Sequence, residues 1–347
     1  QLVFDGFQTP YEIDRQKGRA RSAGFDVLEI SEQTALEIIE AYLDVIRRQK
    51  TLDIARQNVQ THKDILANVR ESTQAGRTSS VDVDQVIARL SSAESQVADI
   101  REALETAKSA FRRESGLVPG TLLFPESYEA YLQDSVADQV AVTLKTNPAI
   151  RKADSDVETA RAEYKQTIAP FLPALNLVAS AQEAKDINGI EGIDRNASAL
   201  AELNWNLYSG GEDSARRKEF DYRLREARAI KGEVVREIVD SVRSTWASLS
   251  SSRERLKSFE IQAGANEKLV EAYLQQFNLG RRTLLDVLDI QSELFAARTN
   301  IVNERTDKMV AVFSLLALEG TLLEDLGIVL PLPSSLTHSL TKKVDDG

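Results

Sequence analysis

The sequence predicts a mainly helical protein with a small β part, built twice over on one strand-helix-helix plan. Three observations carry this. Shifting the sequence by 204 positions lays Gly6 on Gly210, Gly76 on Gly280 and Gly116 on Gly320 without a gap, the mark of an internal duplication. Apolar residues recur every seven positions at Ile38, Val45, Leu52, Val59 and Leu66, and again at Val242, Leu249, Leu256, Ala263, Val270 and Phe277. Strict heptads of this length belong to helices that pack as a left-handed coil. Two further runs alternate with period two and read as strands.

Composition agrees and narrows the function. Aromatic residues are sparse at 6%, charged residues reach 28%, and there are 16 Gly, 8 Pro and no Cys, a profile suited to long helices. A net charge of -11 with no dense Lys/Arg run repels a phosphate backbone, so nucleic acid is not a partner. Without Cys there is neither a disulfide scaffold nor a Cys-based zinc site. No run of about eighteen apolar residues is present, which excludes a transmembrane helix but leaves a transmembrane β-barrel open. The opening residues, QLVFDGFQTP, carry no secretory signal, so the chain is read as cytosolic or already trimmed.

The elements follow in order. Residues 10–75 form the first long helix, which at about 1.5 Å per residue extends for roughly 100 Å. The return helix, 81–115, is about half as long, and a helix over 135–169 supplies the other half, so two short helices sheath one long one. Between them LVPGTLLFPESYEAYLQD, with Pro119, Gly120 and Pro125, breaks the pattern. Residues 173–182, PALNLVASAQ, place Leu175, Leu177, Ala179 and Ala181 on one face and Asn176, Ser180 and Gln182 on the other. Residues 198–208, SALAELNWNLY, set Ala199, Ala201, Leu203, Trp205 and Leu207 against Glu202, Asn204 and Asn206. Each run has the length of a tilted bilayer-crossing strand. A soluble hairpin with one buried face reads as well from the strands alone; a lone hairpin is marginal in water, however, and a membrane offers the missing apolar partner. The polar KDINGIEGIDRN between them is a loop. Gly210 and Gly211 make a tight corner into the second long helix.

The order of strand, LYSGG corner, very long helix, FNLGRRTLLDVLDIQSEL tip, return helix and closing LLALEGTLLEDLG resembles the TolC family of outer-membrane efflux and secretion channels over essentially the whole chain. The resemblance implies a homotrimer in the outer membrane of a Gram-negative bacterium. Its protomers share a twelve-stranded barrel, and their helices continue it as an α-barrel through the periplasm. It divides the chain into residues 1–6, the end of a transmembrane strand; 7–116, a periplasmic helical hairpin; 117–134, an equatorial connector; 135–170, a short helix; 171–209, a transmembrane hairpin with an extracellular loop; 210–320, the second periplasmic hairpin; and 321–347, an equatorial segment and irregular tail. Repeat arithmetic starts the first copy roughly seventy residues before Gln1, so a first strand and first helix are expected upstream. The implied partners are outer-membrane lipid, a periplasmic adaptor, and an inner-membrane ABC transporter or proton-driven pump. No catalytic residue, cofactor or metal is implied. Among channels of this kind the tip motif and the lack of a lipidation Cys favour type I protein secretion.

The tip carries the candidate site. Gly76 and Gly280 end the long helices where the chain reverses. Thr283 reads as an N-cap with Asp286 completing a capping box; capping accounts less well for Asp289, a like charge one turn further on. By the resemblance Asp286 and Asp289 form a carboxylate ring at the narrowest part of the closed tunnel, favouring cations and raising one another's pKa. Arg282, Phe277 and Asp82 then hold the gate, with an Arg282 to Asp82 tie as its main polar contact; Phe277 stands where the family has a hydroxyl-bearing Tyr. Val81, Leu284 and Leu285 are equally readable as an adaptor-docking patch or as packing within the tip. His62 and His338 read as surface residues. With no nucleophile, base and orienter set, an enzyme is not indicated. The rival class is a soluble coiled-coil adaptor.

Overall fold

The computed structural model describes residues 1–185, 189 and 191–330; the expected tail and His338 lie outside them. The described chain runs β1 (Leu2–Asp5), α1 (Gln8–Gln74), α2 (Ser80–Ser115), a 3-10 turn (Glu129–Tyr131), α3 (Val136–Thr146), α4 (Pro148–Gln166), a second 3-10 turn (Ala169–Phe171), β2 (Ala174–Lys185), β3 (Ile193–Asn204), α5 (Glu212–Asn278), α6 (Leu284–Glu319) and α7 (Leu322–Asp325). The duplication is reproduced to the residue. Both bounds of α5 and of α6 lie 204 positions beyond those of α1 and α2. The paired glycines share one backbone state, with φ of 67° and 68° at Gly6 and Gly210, 72° and 70° at Gly76 and Gly280, and 72° and 82° at Gly116 and Gly320.

Two compact units make up the chain. One comprises Gln1–Glu29 and Leu144–Ile238, the other Ile30–Thr143 and Val239–Val329, so α1 and α5 each run from one into the other.

In the first unit the strands form one antiparallel sheet in the order β1-β2-β3. The register pairs Leu175 with Leu203, Leu177 with Ala201 and Ala179 with Ala199, making one continuous apolar face; Asn176 with Glu202 and Ser180 with Ser198 lie on the other. Both strands run further than the alternation predicts, and β3 begins five residues earlier, inside the expected loop. Backbone pairing continues there, and Glu183 faces Arg195 across the strands and pairs with it at 3.2 Å. Trp205 and Leu207, expected in the strand, follow it instead; the Trp205 indole N–H donates to the Phe171 carbonyl at 3.3 Å. The strand-to-helix corners need successive left-handed residues. Gly210 and Gly211 supply them at φ 68° and 90°, whereas in the first copy Gly6 is followed by Phe7 at φ 68°, a state that costs a non-glycine residue on the order of 1–2 kcal/mol. The Phe7 ring packs edge-on against Phe4 at 5.3 Å between centroids, an offset to that strain.

The helix expected over 135–169 divides in two at Asn147-Pro148. Proline at the first position of α4 cannot continue a preceding helix, and the Asn147 side chain accepts from the Ile150 N–H at 3.0 Å to cap the new one. Within this unit α4 lies close along α1: a Cβ at Gly18 would clash with the Thr159 hydroxyl, and Ser22 donates to Asp156 at 2.6 Å.

In the second unit α2 packs on α1 through Val45, Leu52, Leu104, Ala107 and Phe111. Fully burying a side chain of the Val or Leu class contributes about 1.5–3 kcal/mol, so this seam is what holds the hairpin. The connector before α3 has little regular structure and is tied down by side chains. Tyr42 donates to the Leu123 carbonyl at 2.6 Å, and Glu129 receives Lys308 at 2.7 Å and Arg253 at 3.5 Å.

Candidate functional site

The two hairpin tips close in the same way. After α1 the Gly76 N–H donates to the Thr73 carbonyl and Arg77 to Ser72, both at 2.9 Å; after α5 Gly280 donates to Phe277 at 2.8 Å and Arg281 to Gln276 at 2.9 Å. This left-handed reversal is open to glycine because a Cβ at positive φ strains any other residue. A capping box then starts each return helix, Ser79 with Asp82 and Thr283 with Asp286. Predicted turn, cap and box all stand at their residues.

One apolar cluster joins the tips. Ile65, Leu66, Val69 and Val86 from the first repeat interlock with Leu284, Val287 and Leu288 from the second, and Phe277 and Tyr273 pack against them half-buried. This corrects the reading of Leu284 as a docking residue: it is 3% exposed, a core residue, whereas Val81 and Leu285 stand 60% and 50% exposed. His62 is also corrected. It is buried on α1, and its Nδ1 has no hydrogen-bond partner among the described residues. Burial first, then the nearby Arg89 guanidinium, push its pKa down.

Charged groups at the tips pair locally. Arg282 stacks its guanidinium 3.6 Å from the centre of the Tyr273 ring, donates through Nε to Gln276 at 2.9 Å, and lies 3.8 Å from the Asp286 carboxylate. The expected tie to Asp82 does not form within the protomer. Asp82 is engaged as the Ser79 cap, accepting that residue's N–H at 3.0 Å, and the tyrosine face draws the guanidinium to its own helix. Asp286 accepts from the Thr283 hydroxyl at 2.7 Å and from its N–H at 3.2 Å. That hydroxyl, reinforced by Arg282, holds the carboxyl below its ordinary range within the single chain. Asp289 turns from Asp286 and meets Arg89 of α2 at 3.2 Å.

Arg89, Tyr273 and Gln276 were missed by motif reading: the role of Arg89 depends on Asp289, 200 positions away, and those of Tyr273 and Gln276 on the way the tip folds Arg282 back over α5. Repeat alignment holds one signal, since Arg89 stands where the second copy has Glu293. Among the described residues no group of three or more His, Asp or Glu side chains is placed to hold a metal ion, and no helix is long and apolar enough to cross a membrane.

Comparison with known proteins draws these features together. The family model described as outer membrane efflux protein matches residues 140–321. The chain is 26% identical over 327 residues to the outer membrane efflux protein BepC of Brucella suis, covering 94% of this chain and 71% of BepC. To the alkaline protease secretion protein AprF of Pseudomonas aeruginosa it is 25% identical over 298 residues, covering 81% of this chain and 60% of AprF. The chain thus spans less than two thirds of AprF. The crystal structure of the outer membrane protein VceC from Vibrio cholerae superposes with a TM-score of 0.77 at 16% identity, covering 92% of this chain and 77% of that one, a likeness of fold. The duplicated hairpins, the two-faced sheet and a family match over more than half of the sequence lead to one conclusion: the chain belongs to the outer membrane efflux proteins, a family of TolC-like outer-membrane channels and not of enzymes.

Proposed function

We propose that this chain is one protomer of a trimeric outer-membrane duct, the passive exit of an export system whose energy comes from an inner-membrane pump reached through a periplasmic adaptor. The observation that carries this reading is the sheet. Its apolar face is uncovered, with Leu177 50% and Leu203 64% exposed, and runs from Leu175 to Ala181 before the Glu183–Arg195 pair ends it. Seven residues at about 3.3 Å each run about 23 Å along the strand, which a tilt of about 35–45° turns into roughly 16–19 Å of height, within the apolar band of an outer-membrane barrel. The other face, with Asn176, Ser180 and Gln182, suits a water-filled lumen. At the hairpin tips Asp286 and Asp289 line the constriction of the trimer, Arg282 and Phe277 steady it, and Val81 and Leu285 offer the adaptor an apolar edge.

The cargo class we infer is protein, which the name of AprF, an alkaline protease secretion protein, supports, with an ABC transporter as the pump; the second reading is efflux, which the name of BepC supports, with a proton-driven pump. Single-channel recording of the full-length protein in planar bilayers tests the duct. Small cation-selective steps that lose selectivity in the Asp286→Ala, Asp289→Ala double variant are the expected result, and Arg282→Ser raises conductance by loosening the tip. Well-folded protein that yields no steps defeats the proposal.

A further inference from the structure

The two tip aspartates differ in how their charge is balanced. Asp286 has a counter-cation on its own hairpin, Arg282, which Tyr273 and Gln276 also hold. Asp289 has none on its own hairpin. Its partner comes from the other repeat: Arg89 crosses from α2 to α6 and places its guanidinium 3.2 Å from the carboxylate. The neighbouring apolar contact of Val86 with Val287 and Leu288 in one cluster sets the distance between these helices.

The repeat alignment makes the pairing an asymmetric feature. Shifted by the repeat length, Asp82, Gln85 and Arg89 of α2 correspond to Asp286, Asp289 and Glu293 of α6. The face of α6 that carries acids at three successive helical positions is met by the one copy in which the last of these is an arginine. Lys63, another cation of the first hairpin, is occupied elsewhere, with Glu94 at 3.6 Å.

We propose that Arg89 is a specificity-determining residue of the duct: it neutralises Asp289, so that the charge presented at the tip is smaller than the count of aspartates implies and is set by the first repeat as much as by the second. The inference rests on the reading of Asp289 as a lining residue. An exposed ion pair adds little stability, but a fixed cation beside a ring of carboxylates changes the local field that permeant ions meet.

The test is reversal-potential measurement across a potassium chloride gradient on the full-length protein in planar bilayers. It compares Arg89→Ala, Arg89→Lys, Asp289→Ala, the Arg89→Ala/Asp289→Ala double variant and Lys63→Ala. Arg89→Ala raises the cation-to-anion permeability ratio by about twofold or more, Arg89→Lys retains the parent ratio, Lys63→Ala leaves it unchanged, and the double variant matches Asp289→Ala. If Asp289→Ala lowers the ratio while Arg89→Ala leaves it unchanged, Asp289 lines the duct and the role of Arg89 is overturned. An unchanged ratio in both single variants overturns the lining role of Asp289, and the inference with it. Circular dichroism of each variant separates these outcomes from loss of fold.

Discussion

The two hairpin tips have the same backbone and opposite burial. Gly76 and Gly280 turn alike, and Ser79 and Thr283 cap alike. Yet Leu284 and Leu288 are buried in the cluster shared by the repeats while their counterparts, Ser80 and Asp84, are exposed on α2. Local geometry was therefore kept through the duplication, and the side chains diverged to make one return helix central and the other peripheral. Backbone state follows from short-range residues such as glycine and the cap, whereas burial is a property of neighbours, so the two can separate.

The largest test of this difference is truncation at equivalent positions. Leu288→Ala should destabilise the tip by about 2–5 kcal/mol, whereas Asp84→Ala should stay within about 0.5 kcal/mol, read as amide exchange protection around residues 284–294 and 80–90. Equal losses would mean that α2 is as central as α6. The caps sharpen the shared half of the comparison: Ser79→Ala and Thr283→Ala should each cost about 1 kcal/mol, and a cap that costs nothing would break the equivalence of the two turns.

A smaller effect separates His62 from Asn266, its repeat equivalent, which is also buried. Burial holds the folded His62 pKa below its ordinary 6.5, so the unfolded chain binds the proton first. Its contribution is whole above about pH 6.5 and is lost as pH falls through that value toward the folded pKa, below which the slope ends. The charges facing it are Arg89 from α2 and, through that arginine, Asp289 from α6. His62→Asn should flatten denaturant midpoints between pH 7.5 and 5 relative to the parent. The smallest effect concerns an ion pair reversed between repeats, Lys63–Glu94 at 3.6 Å and Glu267–Arg298 at 2.8 Å. Each should contribute about 0.2–1 kcal/mol in a double-mutant cycle, the shorter one more, and raised salt should shrink both.

Much of this was legible beforehand because it is local. Heptads marked the long helices to within a few residues, glycines marked the turns, and Thr283 with Asp286 marked a box that forms as read. The break at Asn147-Pro148 carried a readable signal that periodicity across it obscured. The errors share a different cause. Leu284 buried beside exposed Leu285 and His62 buried on α1 each depend on which helix lies opposite, and side chains from other helices supply that answer.

The sequence by itself determined the duplication, the period of the helices, the positions of their turns and caps, and the two-faced strands, since each is encoded within a few residues of itself. Only the tertiary structure decided which tip is buried and which cation meets which aspartate. Packing energy and ion pairing depend on distances across the fold, and the chain writes these nowhere in one place.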